Sequence, residues 1–517
     1  MFREDGRAGV PKGAASVLDW PLIQSHGRRS RAPRPPESGH GPARGGAAPR
    51  FRFASSVNPT PTAQPDPPVT RVMAEMRTFS VIWLGQLVSS LGTGLTGFAL
   101  PVWIYQETGS VEAFGLLFFA ATVPTVLMSP FAGALVDRWD RRAVLVWSDG
   151  LAALMTLVLA VLLYTGAFEL WHLFVISALG SALASFQTPA FTAAISMLVP
   201  QRHFARASGM MQTSDAIAGI LTPLVAGVLV TTIGLWGILA IDFATFLVAF
   251  GTLLAVRIPN PPPSPEPRRS LLREAHDGWA FVRDRPALLY LLIYFPIINL
   301  FTGMVNPLFS PLVLSFASPA ELGASVSISS VGLLLGGLAL SAWGGPRRKV
   351  RGLVVGQVVS TACLVAMGMR PSLLLVTAAM FLNLLVGPFA AGCSQAIWLS
   401  KTPKHMIGRV FAIRRMLALS TMPIAALACG PIAERVFSPL LMPGGALAGS
   451  VGRVLGVGPG RGIGLMFVLI GSFVMLMSVL LYLNPRVRRL EDEIPDAAPV
   501  RPAPETAPGL EPAAAGA

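Results

Sequence analysis

Residues 133–142 read Gly133-Ala134-Leu135-Val136-Asp137-Arg138-Trp139-Asp140-Arg141-Arg142. This segment carries five charged side chains within ten residues, and apolar runs at 111–135 and 143–165 flank it. Each run is at least as long as the roughly 20 residues with which an α-helix crosses the hydrocarbon core of a bilayer. A short charged loop between two such runs predicts a helical hairpin that crosses a membrane twice.

Apolar runs of similar length recur along most of the chain, with short polar segments between them. Only 13% of the residues are charged, whereas about a quarter are charged in an average soluble domain. We therefore predict an all-α membrane protein with about twelve transmembrane helices. The predicted spans are 79–104, 111–135, 143–165, 169–198, 207–231, 235–256, 287–314, 323–344, 352–369, 371–398, 410–433 and 463–483.

The net charge of +14 does not indicate a nucleic-acid-binding protein. Much of the positive charge lies in the N-terminal tail, and the rest lies in short loops beside apolar runs, as is typical of cytoplasmic loops. The sequence contains no nucleotide-binding Gly-x-x-x-x-Gly-Lys-Ser/Thr loop and no catalytic motif. The three cysteines are too widely spaced for a metal motif. We expect neither an enzyme nor a bound cofactor or metal ion. The cysteines are Cys363, Cys393 and Cys429.

The distribution of Lys and Arg predicts the orientation in the membrane. Every second loop is rich in these residues, and by the positive-inside rule these loops face the cytoplasm. An even number of spans then places both termini in the cytoplasm, in a multi-pass protein of the inner (plasma) membrane. The alternate loops contain no Lys or Arg near Glu107, Glu169, Gly234 and Glu321.

Composition divides the chain into five parts. Both terminal segments are rich in Pro and small residues and predict disordered tails. The central linker begins with a stiff proline-rich segment and continues with apolar residues at helical spacing, which predicts an amphipathic helix on the membrane surface. The parts are the tail 1–72, a six-helix bundle 73–256, the linker 257–286, a six-helix bundle 287–484 with a long outer loop 434–462, and the tail 485–517.

A weak internal repeat connects the two bundles. Three pairs of identical residues are separated by the same offset of 203 positions, around the junctions of spans 4 and 5 and of spans 10 and 11. This offset predicts two pseudo-symmetric six-helix halves, an architecture that occurs in secondary transporters. The pairs are Pro200 and Pro403, Arg206 and Arg409, and Gly227 and Gly430.

Residues 133–142 resemble the signature loop of the major facilitator superfamily, Gly-x-Leu-x-Asp-Arg-x-Gly-Arg-Arg/Lys, which joins the second and third helices. The match fails at Asp140, where glycine is usual. The resemblance implies the major facilitator fold and a charged cluster that stabilises one of two conformations. The candidate residues of this conformational switch are Gly133, Asp137, Arg138, Arg141, Arg142 and Asp149.

Other segments resemble the branch that contains the enterobactin exporter and the macrolide efflux proteins. These segments follow the same order along the chain, from 83–89 through 186–190 to 408–411, and the resemblance covers about 75–485. Exporters of the superfamily often carry a pattern of glycine and proline in the fifth helix. Pro223 lies there and is expected to bend the helix. Ordinary packing of membrane helices explains this segment equally well.

Acidic side chains inside the predicted spans are the candidates for proton coupling, because charge within a bilayer is costly and usually functional. Asp215 lies nearly two turns into the fifth span, and Asp242 lies about as far into the sixth. A structural role beside a buried polar group is the alternative for both. Asp149, near one end of the third span, could exchange a proton or join the cluster of Asp137, and we favour the second role.

Seven amide side chains lie in otherwise apolar spans and are candidates for lining a substrate cavity. Hydrogen bonding between helices, worth about 1 kcal/mol or less, is the alternative for each. We expect no Lys or Arg deep within a span, which suits a large, mostly apolar substrate. The seven residues are Gln86, Gln187, Gln212, Asn299, Asn306, Asn383 and Gln395.

These features together predict a secondary active transporter that works by alternating access. We expect it to export a small molecule such as a drug, siderophore or secondary metabolite in exchange for protons. An importer or uniporter of a small solute is one alternative, and a non-transporting scaffold or receptor of the same fold is another. The expected partners are the substrate, protons and the lipid bilayer, without nucleic acid, and the expected oligomeric state is a monomer.

Overall fold

The computed structural model describes residues 69–136, 139–256 and 278–496. Within these ranges the chain is mostly helical and contains no β-strand. Twelve of the described helices are long and apolar enough to cross a membrane. The prediction of an all-α membrane protein with twelve transmembrane helices in two halves is confirmed.

The N-terminal half contains six long helices. A Pro200–His203 turn precedes the fifth of them, and Gly166, at a φ of 70°, ends the third in the left-handed conformation that glycine tolerates best. The helices are α1 (Val69–Thr108), α2 (Val111–Val136), α3 (Arg141–Thr165), α4 (Leu170–Leu198), α5 (Phe204–Thr232) and α6 (Gly234–Ala255).

The C-terminal half repeats this arrangement. Its second helix begins with a capping box, in which Ser318 and Glu321 each bind the backbone N–H of the other. The helices are α7 (Pro286–Leu314, interrupted at Met304), α8 (Pro319–Trp343), α9 (Lys349–Met369), α10 (Leu373–Lys401), α11 (Ile407–Leu441) and α12 (Arg461–Leu483).

Helix α11 is longer than the predicted span 410–433. A π-helical turn, Ile432–Phe437, and a last α-helical turn, Ser438–Leu441, continue it. The loop that was expected at 434–462 therefore begins at residue 442, and it contains a short helix, Gly452–Leu455.

The structure describes thirteen residues beyond α12, 484–496, although the sequence predicted a disordered tail from residue 485. It forms two short helices, Pro485–Arg488 and Leu490–Glu493, and the side chains of Val487 and Leu490 are fully buried. Apolar contacts therefore anchor this segment to the C-terminal half. The predicted tail 497–517 lies outside the described residues.

Glu491 fixes the same segment to α9. Its carboxylate accepts hydrogen bonds from the backbone N–H groups of Lys349, at 2.7 Å, and Val350, at 3.4 Å. These groups belong to the first turn of α9, where N–H groups lack partners within the helix and favour negative charge. Glu491 thus serves as the N-terminal cap of a transmembrane helix.

Two other sequence predictions lie largely outside the described residues. Of the tail 1–72, only 69–72 are described, and they begin α1. Of the linker helix, only 278–283 are described; they are helical, with Val282 buried and Trp279 42% exposed. The contrast between these two side chains is typical of an amphipathic helix.

The two halves contact each other along α2 and α11 and along α5 and α8. A Cβ atom on Gly227 of α5 would lie 2.6 Å from the carbonyl oxygen of Pro319, and one on Gly430 of α11 would lie 2.6 Å from the Cα of Glu112. Both points lie at one end of the bundle, which we call the closed face. It carries the loops at 109–110, 166–169, 315–318 and 370–372.

The opposite end carries the loops at 199–203, 344–348 and 402–406, and we call it the open face. Helices α4 and α10 reach this face, and they make their extensive contacts within their own halves. The structure therefore corresponds to a conformation in which the two halves are joined at the closed face.

Candidate transport site

Asp242 forms the centre of a buried polar cluster in the N-terminal half. Its side chain on α6 is 1% exposed. The carboxylate accepts hydrogen bonds from the hydroxyl groups of Thr96 on α1, at 2.8 Å, and Thr156 on α3, at 3.4 Å, and the Thr93 hydroxyl lies 3.5 Å away. In the part of the chain that the structure describes, no cation pairs with this carboxylate. Burial of an unpaired carboxylate is costly and marks a functional candidate.

A second buried carboxylate, Asp149 on α3, is 0% exposed. It accepts hydrogen bonds from the side-chain amides of Gln86 on α1, at 2.8 Å, and Gln187 on α4, at 2.5 Å. The sequence favoured a place for Asp149 beside Asp137, which lies outside the described residues, so that placement stays a prediction. The described contacts join Asp149 to two residues predicted for the cavity. The three side chains connect α1, α3 and α4.

Both clusters border one cavity of about 660 Å³ inside the N-terminal half. Asp242 and its three threonine partners line it, as do Gln86 and Gln187. The remaining wall is mainly apolar, with aromatic side chains such as Phe118 and Phe246. The cavity therefore combines room for a small molecule with a carboxylate in its wall.

A smaller cavity of about 280 Å³ lies in the C-terminal half, between α7, α10 and α11. Asn299 and Gln395 line it as the sequence predicted, but so do two arginines, Arg414 and Arg415. Arg414 is the eighth residue of α11 and lies about 10 Å from the start of that helix. The sequence did not predict these two arginines at a cavity.

The remaining amide candidates lie elsewhere. Asn383 on α10 donates hydrogen bonds to the carbonyl and hydroxyl oxygens of Ser360 on α9, at 2.9 and 2.8 Å, which is the interhelical role. Gln212 is exposed and lines a groove of about 450 Å³ between α5 and α8. Asn306 on α7 is also exposed, and no cavity described above includes it. These three residues do not share a site.

The fifth helix contributes to the contact between the halves. A Cβ atom on Gly323 of α8 would overlap the carbonyl oxygen of Pro223, so α5 and α8 cross in close contact at this point. Asp215 on the same helix is exposed and does not line the cavity of Asp242. Of the two acidic residues predicted for proton coupling, the structure places only Asp242 at a cavity.

A sequence model of the Major Facilitator Superfamily matches residues 82–426 of the chain. The chain belongs to the major facilitator superfamily.

Relatives within the superfamily include efflux proteins. Macrolide efflux protein A of Streptococcus pyogenes is 26% identical over 372 residues, which cover 69% of this chain and 90% of the relative. The multidrug efflux pump Tap of Mycolicibacterium fortuitum is 24% identical over 366 residues, which cover 68% of this chain and 88% of the pump. These matches support a transporter of the efflux type, as the resemblance implied.

Solved structures of superfamily transporters share the fold. A bacterial homologue of the human lysosomal transporter Spinster, in an inward-facing and unoccupied conformation, aligns with a TM-score of 0.59 at 15% identity. The alignment covers 80% of this chain and 97% of that structure. The peptide-family (POT) transporter PepTSo aligns with a TM-score of 0.60 at 11% identity, over 80% and 99% of the two chains.

The superfamily's signature loop lies at the open face, and Asp137 and Arg138 within it are outside the described residues. Gly133 belongs to the last turn of α2. Arg142 donates hydrogen bonds to the carbonyl oxygens of Leu253, at 3.2 Å, and Leu254, at 2.8 Å. These carbonyl groups end α6, where a cation is favourable.

Arg141 reaches a different helix, because its guanidinium group donates a hydrogen bond to the Ala193 carbonyl oxygen of α4 at 3.4 Å. The two arginines thus connect the loop between α2 and α3 to two further helices of the same half. Their role in a conformational switch stays a prediction.

The closed face contains ionic contacts between the halves that the sequence did not predict. Arg435, in the π-helical turn of α11, pairs with Glu112 of α2 at 2.7 Å. Glu434 accepts hydrogen bonds from the Ser110 hydroxyl, at 3.0 Å, and from the backbone N–H of Glu112, at 2.8 Å. The sequence predicted both residues of α11 in the loop 434–462, where no local pattern indicates a partner in the other half.

Proposed function

We propose that this superfamily member exports a small molecule across the inner (plasma) membrane in exchange for protons. The observation that carries the proposal is Asp242, a buried carboxylate in the wall of a cavity, with which no cation pairs among the described residues. Binding of a proton there removes a charge from the membrane interior and favours a different conformation. Hydrogen bonds from three threonine hydroxyl groups fix the orientation of the Asp242 carboxylate.

The positive-inside rule supports the orientation that export requires. The loops of the open face carry basic residues, among them Arg202, Arg347 and Lys404, and such loops face the cytoplasm. Both termini then lie in the cytoplasm. In this orientation the structure is inward-facing, so that a substrate enters from the cytoplasm while the closed face separates it from the outside.

Release on the other side requires the contacts of α2 with α11 and of α5 with α8 to separate at the closed face. The close glycine contacts, the ion pair of Arg435 with Glu112 and the hydrogen bonds of Glu434 can break as the halves rotate against each other, which is alternating access. Because one chain supplies both halves, we propose that the monomer is the working unit. The efflux relatives support the outward direction and a substrate such as a drug, siderophore or secondary metabolite.

The test measures the accumulation of drugs and secreted metabolites in an efflux-deficient bacterial host that expresses the full chain. We expect lower accumulation than in the empty host, and we expect a protonophore to abolish the difference. The variant Asp242→Asn is expected to lose this protonophore-sensitive efflux. Its control, Asp215→Asn, removes an exposed carboxylate from the neighbouring helix and is expected to retain it.

A proteoliposome experiment separates coupling from binding. For a substrate found in the panel, Asp242→Asn is expected to retain exchange of labelled for unlabelled substrate and to lose transport driven by a pH gradient. Gradient-driven efflux by Asp242→Asn at the wild-type rate would refute the assignment of Asp242. Accumulation above that of the empty host would instead favour import.

A further inference from the structure

The cavity of the C-terminal half is opposite in charge to that of the N-terminal half. Arg414 and Arg415 line it, and none of its lining residues is acidic. Aromatic rings of Phe295, Trp398 and Phe411 form much of the remaining wall. The cavity therefore offers positive charge beside a large apolar surface.

Aromatic rings hold the guanidinium group of Arg414 in a fixed position. Among the described residues, most of its N–H groups have no acceptor. Its guanidinium carbon lies 4.7 Å from the ring centre of Trp398 and 4.9 Å from that of Phe411. One nitrogen donates a hydrogen bond to the Ser394 hydroxyl at 3.3 Å. An arginine has five N–H donors, and stacking on aromatic rings keeps their plane in one orientation.

Across the described part of the chain, neither Arg414 nor Arg415 has a carboxylate partner. Trp398 beside Arg414 is 0% exposed, and within the described residues its indole N–H has no acceptor. Asn299 and Gln395 add amide groups that can donate or accept. Donors thus exceed acceptors in this cavity, which favours a ligand that brings acceptor oxygens and negative charge.

We propose that this cavity binds the anionic group of an amphipathic organic anion, which is the transported substrate. A carboxylate or sulfonate accepts hydrogen bonds from Arg414 and Arg415, and the apolar body packs against Phe295 and Phe411. The identification of this ligand as the substrate rests on the proposed export function. The binding site itself does not depend on it.

The position of the cavity agrees with a substrate site reached from the open face. Arg414 lies about 10 Å from the start of α11, and Asn299 lies about 20 Å from the start of α7. Both helices begin at the open face. The cavity therefore extends from about 10 Å to about 20 Å along these helices from the open face, and a ligand can reach it from that face.

Proton and substrate then bind in different halves. Asp242 exchanges the proton in the N-terminal half, and Arg414 holds the anion in the C-terminal half. The two ligands influence each other through the conformation that each stabilises, without competing for one group.

The test is equilibrium dialysis of the full-length protein in lipid nanodiscs with three radiolabelled probes of equal size. The probes are 1-naphthoate, its neutral isostere 1-naphthamide, and the cation 1-naphthylmethylammonium, with empty nanodiscs as the blank. We expect naphthoate to bind at least about tenfold more tightly than naphthamide, because hydrogen bonds between charged partners are the stronger ones. We expect the cation to bind most weakly.

Arg414→Gln is expected to reduce the preference for naphthoate over naphthamide to about twofold or less, as charge assistance is lost. Arg414→Lys keeps the charge and is expected to retain part of the preference. The control Arg370→Gln removes the same charge from an exposed position between α9 and α10 and should leave the preference unchanged.

Equal binding of naphthoate and naphthamide by the wild-type protein would overturn the proposal, whether or not any variant folds. An unchanged preference in folded Arg414→Gln would also overturn it. Dialysis requires no gradient, so the result is independent of proton coupling. A protein that prefers naphthoate but exports nothing in the accumulation assay would keep the anion site and refute the export function.

Discussion

Replacement of Glu434 by glutamine is expected to destabilise the closed face. One carboxylate oxygen of Glu434 accepts both hydrogen bonds from the N-terminal half, from the Ser110 hydroxyl at 3.0 Å and from the Glu112 N–H at 2.8 Å. The side-chain oxygen of glutamine can occupy the same position and accept both bonds. The substitution therefore removes the negative charge and leaves the geometry in place.

The magnitude follows from the strength of these two bonds. A hydrogen bond to a charged group stabilises by about 1.5–3 kcal/mol and a neutral one by about 1 kcal/mol, so each bond loses about 1 kcal/mol. The total of about 2 kcal/mol corresponds to a roughly 30-fold shift towards conformations in which the closed face is open. The neighbouring ion pair of Arg435 with Glu112 contributes little to the stability of the closed face, because the arginine side chain is largely exposed to solvent.

A native cysteine reports the opening. Cys429 on α11 is 0% exposed, and a Cβ atom on Gly115 of α2 would lie 3.3 Å from its sulfur, so reagents reach it only when α2 and α11 separate. With Cys363 and Cys393 replaced by alanine, the rate of maleimide labelling in nanodiscs measures the open population. We expect labelling about 30-fold faster in Glu434→Gln, in proportion to that population.

The matched control is Glu321→Gln. Glu321 lies at the same face, but its carboxylate binds Ser318 within the capping box of α8 and makes no contact between halves. Its labelling rate should stay within about twofold of the parent, because capping is local. A Glu434→Gln protein that folds normally and labels at the parent rate would refute the assignment of Glu434 as a contact that stabilises the closed face.

Two further substitutions test packing and capping through the midpoint of thermal unfolding in detergent. Gly323→Val places a side chain against the carbonyl oxygen of Pro223, so the midpoint should fall by several degrees, since overpacking costs about 1–3 kcal/mol. The control is Gly337→Val on the same helix, where a Cβ atom would have no neighbour within 4 Å, and it should change the midpoint little. Glu491→Ala removes the cap of α9 and should lower the midpoint by a few degrees, since loss of a cap costs about 0.5–2 kcal/mol, whereas the exposed Glu493→Ala should not. Equal midpoints within either pair would contradict the corresponding contact.

The number and positions of the helices could be predicted because the bilayer sets a minimum length for an apolar run. Asp242 could be predicted for a related reason, since a carboxylate in such a run is rare without a function. The hydrogen-bond partners of Asp149 could not be predicted from the sequence. Gln187 lies 38 positions away in the sequence, and only the packing of α3 against α4 brings the two side chains together.

The arginines of the C-terminal cavity show a different limit. Both arginines fall within the predicted span 410–433 as its fifth and sixth residues, and basic side chains are usual near the ends of membrane helices. Only the packing of α7, α10 and α11 places them at one cavity. The predicted end of α11 came too early in the sequence. Glu434 and Arg435 are charged, but they have partners in the other half, and no local sequence pattern reveals such contacts.

Under the proposed exchange of a proton for an organic anion, membrane voltage becomes a source of work for transport. A proton that enters the cell and an anion that leaves it both carry positive charge inward, so a one-for-one exchange moves two elementary charges per cycle. At 100 mV, negative inside, each charge contributes about 2.3 kcal/mol, or about 4.6 kcal/mol per cycle. That energy alone sustains a substrate gradient of roughly a thousandfold, and the exchange generates a current that electrodes can record.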